Sequence, residues 1–312
     1  MDMADLLDKL NQEDKFDINH LKIDAKEKGL ADIIALFETN WDENILIWDF
    51  SYEEMCVQIK KAGIKYNADQ VSKFSIFSEK YQTWKNFNAC MGYFFSALVD
   101  CCSEDNITIY TKNLEKLIDY LGYKNSKNFI IIGSVGDYIC RQMVNGSVSI
   151  HGNTRHSLGF NLRGGFVHVF GDVTDFLGNE MFNGSIIVDG NAGQLSGSVM
   201  RGGSIKIKGN AGSRLSYQMG GGSITVNGNA GDLICYKVGV DHTSNKNYSD
   251  ALIYLNGEYG SIFGKGYYHS YETRPKIGKI YHKNKLICER GLAINPDDFE
   301  CLHEIKLLIP KK

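Results

Sequence analysis

Proline is nearly missing from this chain: three residues in 312, Pro275, Pro296 and Pro310, all behind residue 264. The eight cysteines contain no C-x-x-C pair, which argues against zinc ribbons and thioredoxin-type motifs and leaves reduced, buried thiols as the expectation, vicinal Cys101 and Cys102 included. No basic run exists. Lys and Arg number 34 against 37 Asp and Glu, for a net charge of −3, so the cationic footprint of a nucleic-acid or anionic-membrane binder is absent. The longest apolar run, Cys90 to Val99, is too short to span a bilayer. The opening MDMADLLDKL is acidic where a secretory signal needs a positive start. A cytoplasmic protein without nucleic-acid or membrane partners is expected.

Glycine is abundant and unevenly spread. Of 33 glycines, 26 fall between Gly133 and Gly264 and only four precede residue 128. The chain divides accordingly into a mainly α-helical region over 1–127, a glycine-rich region over 128–264 and an irregular tail over 265–312.

In the first region, Ile18, Leu21, Ala25, Ile33, Leu36 and Phe37 recur at helical intervals and predict an amphipathic helix over 17–37. Ser51 with Glu54, closed by Gly63, frames a helix over 52–62. Asn67 caps a long helical segment reaching Cys102, Thr111 to Gly122 frames another helix, and Ile45 to Phe50 reads as a strand. The aromatic group Tyr81, Trp84, Phe87, Tyr93, Phe94 and Phe95 is expected to be core.

The glycine-rich region repeats itself every nineteen residues. Gly133, Gly152, Gly171, Gly190, Gly209 and Gly228 keep that interval, and Gly257 follows after ten extra residues. Gly146, Gly165, Gly184, Gly203 and Gly222 form a second series, and Met143, Leu162, Met181, Met200 and Met219 a third. Ahead of each glycine of the first series stands an alternating segment such as Val148/Ile150 or Ile205/Ile207, the pattern of a strand with one buried face. Short strands with glycine turns and no crossover helix predict a solenoid of about seven coils, each burying its pair only against its neighbours. Asn153, Asp172, Asn191, Asn210 and Asn229 are expected to bond along the stack. The helical region is expected to cap the first coil, and the tail, with its alternation over 279–287, the last.

Written as M-x-G-G-S-I-x-V-x-G-N-A-G-x6, residues 181–239 resemble the glycine-repeat (GXGXG) β-helix domain found at the C-terminus of the glutamate synthase large subunit and in formylmethanofuran dehydrogenase. The resemblance is strongest over residues 140–240. It implies a right-handed parallel β-helix without a catalytic group, serving to hold catalytic domains or subunits together. The chain has no amidotransferase cysteine at its start and no flavin or iron–sulfur motif.

Outward positions along the stack offer Asp189 as their one carboxylate, so no acid pair for glycoside cleavage is in view. No catalytic residue, metal or cofactor is assigned. Two groups remain as candidates. His151, His156 and His168, with Arg155, are a ligand or acid–base site if they converge near the first coils. Arg163 and Arg201 occupy equivalent corners two coils apart, and Phe170 and Ile187 lie outward on adjacent coils. With His242 in an insertion after Val238, these four suit docking. The function expected first is a scaffold whose partners are other protein subunits or further copies of itself, and the alternative is an enzyme or small-ligand binder with its site at the junction of the helical region and the first coils.

Overall fold

The computed structural model describes residues 23–42, 51–234, 251–260, 279–289 and 292–293. The 45–50 segment, Cys235, the insertion with His242 and the closing LHEIKLLI lie outside the described residues.

Among the described residues four α-helices precede the solenoid: α1 (Lys28–Asn40), α2 (Tyr52–Ala62), α3 (Ala68–Phe77) and α4 (Phe87–Cys101). Ser51 caps α2 by accepting from the Glu54 amide, and Gly63 ends it at φ 61. Two expectations need correction. Helix α1 starts at Lys28, because the Asp24 side chain accepts from the Lys26 amide and its carbonyl from the Glu27 amide, a turn that breaks the run before residue 28. The segment after Asn67 is two helices. Asn67 and Gln70 form a reciprocal capping box, and α3 gives way to a 3-10 turn at Ser78–Tyr81 before α4 begins. The break turns Tyr81 and Trp84 inward, where both rings meet Phe37 at centroid distances of 4.9 and 5.2 Å. Phe94 joins the same core.

Among the described residues eleven strands follow in one sheet whose order in space is their order in sequence. They are β1 (Ile107–Tyr110), β2 (Phe129–Ile132), β3 (Ser147–His151), β4 (Phe166–Val169), β5 (Ser185–Val188), β6 (Ser204–Ile207), β7 (Ser223–Val226), β8 (Leu252–Leu255), β9 (Lys279–His282), β10 (Lys285–Glu289) and β11 (Leu292–Ala293). From β1 to β9 every pairing is parallel, and from β3 to β7 each residue sits over the one nineteen positions on. A second side of each coil is a single bridge, through Val135, Thr154, Val173, Ala192, Ala211, Ala230 and Tyr259. The fold is thus a parallel β-solenoid behind a helical region, with inward Ile, Val, Leu and Met buried along its axis.

The helix expected over 111–122 does not form. Ile107 to Tyr110 pairs in parallel with β2, so this stretch is the first coil of the solenoid, bent by turns at Lys112–Asn113 and Leu121–Lys124. Its exposed edge is closed by helical serines. Ser72 and Ser75 donate their hydroxyls to carbonyls of their own helix, which leaves the oxygens free to accept from the Thr108 and Tyr110 amides at 3.3 and 2.8 Å. Ser96 does the same in α4, donating to Gly92 and accepting from Gly122 at 2.9 Å. Unpaired strand-edge groups are costly to leave dry and invite association, and the serine bonds satisfy the Thr108 and Tyr110 amides on this edge. A side chain at Gly92 would strike the Asp119 carbonyl, so α4 lies directly on the coil. At the other end β9 continues the parallel stack and turns back through Lys283 and Asn284, both at positive φ as a two-residue hairpin requires.

Two glycine ladders serve two purposes. Gly146, Gly165, Gly184, Gly203 and Gly222 sit at φ 77 to 90, a corner that other residues adopt only with strain. The other ladder, apart from Gly133, has ordinary φ but no room. A Cβ at Gly190 would lie 2.7 Å from the Gly171 carbonyl oxygen and 2.3 Å from Asp172 Oδ1. Those carboxamide and carboxylate oxygens are themselves a ladder, each accepting the backbone amide of the next coil, as in Asn191 to Asp172 at 2.6 Å and Asn210 to Asn191 at 2.9 Å.

Candidate functional site

On the outer face of the sheet, side chains at even steps along a strand stand in columns across the coils. His168 on β4 and Phe170 just beyond its end stand two residues apart on this face, with ring centroids 4.1 Å from one another, and His151 stacks on Phe170 from the coil before at 4.2 Å. One coil further, Asp189 accepts from His168 Nε2 at 2.8 Å and from Lys208 Nζ at 2.8 Å. Burial raises the Asp189 carboxyl, but the hydrogen bonds from Lys208 and His168 outweigh it and hold the group below its ordinary range. The result is an imidazole oriented by a carboxylate that a lysine also neutralises.

The histidines proposed from sequence are divided by the fold. His156 follows the Thr154 bridge and so stands on another side of the coil, where its Nδ1 meets the Thr174 hydroxyl at 3.2 Å and Asp175 at 3.9 Å. Arg155 pairs with Asp137 at 3.6 Å on that same side. His151 and His168 share Phe170, whereas His156 and Arg155 form their own acid-flanked pair. Among the described residues no group of three or more His, Cys, Asp or Glu is arranged to hold a metal. Phe170 and Ile187 do not form a bare aliphatic patch, since Phe170 carries two imidazoles and Ile187 stands beside His168 across the strands.

A second assembly lies on the corner where each coil returns to its next strand. Val144, Arg163, Phe182 and Arg201 follow one another at nineteen-residue steps. Arg163, Phe182 and Arg201 each donate their amide to the preceding coil, at Met143, Leu162 and Met181. Val144 and Phe182 are 47% and 41% exposed, and the third large hydrophobic in that class among the described residues, Val57, is in α2. Arg163 is exposed, while the Arg201 guanidinium lies 5.0 Å above the Phe182 ring. Neither arginine has a carboxylate partner among the described residues, whereas Arg155 has one. The sequence pointed to the two arginines; Val144 and Phe182, which complete the ridge, were not singled out. The signal was present in the nineteen-residue register, because the Met143 series fixes Val144 and Phe182 one position later.

No protein-family model matches the chain, and no curated protein matches it. Among the described residues no helix is long and apolar enough to cross a membrane.

Proposed function

We propose that this protein is a scaffold or assembly subunit that uses its solenoid as a docking platform for other protein subunits. The observation that carries the proposal is the corner ridge: exposed apolar side chains alternating with arginines that have no acidic partner in the described chain. Exposed apolar side chains gathered along one corner and flanked by polar or charged groups are the pattern of a surface that a partner covers. The helical region supports the reading from the other direction, since it closes the first coil and leaves the long sides as the available surface. The glycine-repeat resemblance extends the proposal to an amidotransferase or oxidoreductase assembly, in which this chain would hold catalytic partners without contributing catalysis itself.

The test is purification of the tagged full chain from its own cells in gentle salt, with mass spectrometry, solution mass and cross-link mapping. A stoichiometric partner cross-linked to the solenoid is expected. Recovery of the chain alone as a monomer would overturn the proposal.

The His168–Asp189 pair favours a second reading, a small-ligand or acid–base site on the outer sheet face, because an imidazole backed by a carboxylate is the arrangement of a general base. An activity or ligand abolished by His168→Gln would establish it.

A further inference from the structure

The corner ridge has a period, and the period constrains what can lie on it. Parallel strands repeat at about 4.8 Å, so Val144, Arg163, Phe182 and Arg201 present apolar, cationic, apolar and cationic groups at that step along roughly 14 Å of the solenoid. An α-helix advances about 5.4 Å per turn, and residues at i, i+4, i+7 and i+11 share one face. Over three steps the mismatch accumulates to about 2 Å, within the reach of arginine side chains. An extended strand fits less well, since its side chains on one face recur at about 6.6 Å and fall out of step by the second coil.

The ridge also has ends. Gly220 occupies the next equivalent position after Arg201, and it is buried and without a side chain. Before Val144 the corner is supplied by Asn125, buried and accepting the Val144 amide at 3.0 Å. Four positions are therefore available, matched by about twelve residues of helix, from i to i+11.

Building on the docking reading above, we infer that the ridge binds an acidic amphipathic helix of a partner protein, running along the solenoid with apolar and Asp or Glu side chains alternating once per turn. Carboxylates of the helix meet Arg163 and Arg201, while its apolar residues cover Val144 and Phe182. Arg201, already stacked on Phe182, offers its guanidinium edge to a carboxylate while its face stays on the ring. An interface this small is weak and sensitive to salt, with micromolar affinity at best.

The experiment uses the full chain and two dye-labelled 15-residue helical peptides of one composition. In the first, Leu, Glu, Leu and Glu stand at positions 2, 6, 9 and 13 on an Ala/Gln background; in the second the two Glu move to the opposite face. Fluorescence anisotropy at low salt should show the first peptide binding at least tenfold tighter. Arg163→Glu with Arg201→Glu, and separately Phe182→Ser, should each weaken it tenfold or more, with unchanged thermal melting as the folding control. Equal binding of the two peptides, or no effect of the arginine pair, overturns the inference. So does binding that appears only after Asp2, Asp5 and Asp8 are changed to Asn, which would make the chain's own acidic start the occupant. Self-association abolished by the arginine variant would instead assign the ridge to a second copy and overturn it likewise. A stoichiometric cellular partner retained by the arginine variant would sink the ridge while leaving the docking platform standing.

Discussion

Replacing Gly190 by Ala isolates the role of close approach in the glycine ladder. The residue has no unusual φ, so the backbone itself tolerates Ala, and any cost comes from the coil before it. The added Cβ would sit 2.3 Å from Asp172 Oδ1 and 2.7 Å from the Gly171 oxygen, where ordinary contact begins near 3.4 Å. Relief requires the coils to part by several tenths of an ångström to an ångström. Two hydrogen bonds join them at this point, Gly190 to Gly171 at 3.2 Å and Asn191 to Asp172 at 2.6 Å. Losing both costs about 2 kcal/mol net, and forcing a methyl into filled space adds roughly 1 to 3 kcal/mol. The expected destabilisation is about 3 to 5 kcal/mol. Gly63→Ala provides the contrast: it sits at φ 61 with nothing within 4 Å of the added carbon, so it incurs only the left-handed conformational cost of about 1 to 2 kcal/mol. Both variants are compared with the parent in urea, following the sheet by far-ultraviolet circular dichroism. If Gly190→Ala proves no worse than Gly63→Ala, close stacking of coils is not what the ladder preserves.

Other parts of the molecule yield three more expected outcomes. Ser75→Ala removes the acceptor for the Tyr110 amide at the solenoid edge, so hydrogen exchange at that amide should accelerate about fivefold or more, while Ile109 in the same strand changes little. Asp189→Asn should lower stability by under about 1 kcal/mol above pH 5, given partial exposure. Because the folded carboxyl titrates below its unfolded value, its contribution is complete above the unfolded pKa of about 4 and fades as pH falls further, so the difference from the parent should close there. A gap that widened in acid would refute this account. For the thiols, the hydrogen bond from Cys56 holds Cys101 down to about 7 against the opposing effect of burial, with Lys60 contributing in the same direction, whereas burial pushes Cys90 up to about 12. Iodoacetamide followed by peptide mapping should therefore modify Cys101 ahead of Cys90 near pH 7, and the reverse order would contradict the arrangement.

Periodicity alone was enough to specify the solenoid, because a strand that stacks on its own repeat writes the same burial into the chain every nineteen residues. The Val148/Ile150 type of pair, the Asn ladder and both glycine series follow from that beat and needed no knowledge of distant contacts. What stayed undecided lies where the beat is missing or where unlike segments meet. Thr111 to Gly122 has helical spacing, yet it is a coil, since Ile107 to Tyr110 gains a whole parallel ladder on β2 that a local helix cannot offer. The serines that close the solenoid edge look like ordinary helix residues, and only the placement of α3 and α4 gives their oxygens a second partner. On the remaining side of each coil Tyr138, Ser157, Phe176, Leu195 and Arg214 all take φ between 58 and 64 without a glycine to announce it. Their amides are held by carbonyls of the next coil, as in Ser157 to Asp175 at 3.0 Å and Leu195 to Ser213 at 3.0 Å. Stacking, a property of neighbours and not of any one residue, supplies the energy that the local conformation lacks. The candidate sites divide in the same way: the nineteen-residue register aligned Arg163 with Arg201, but only the folded corner showed that Val144 and Phe182 stand exposed beside them.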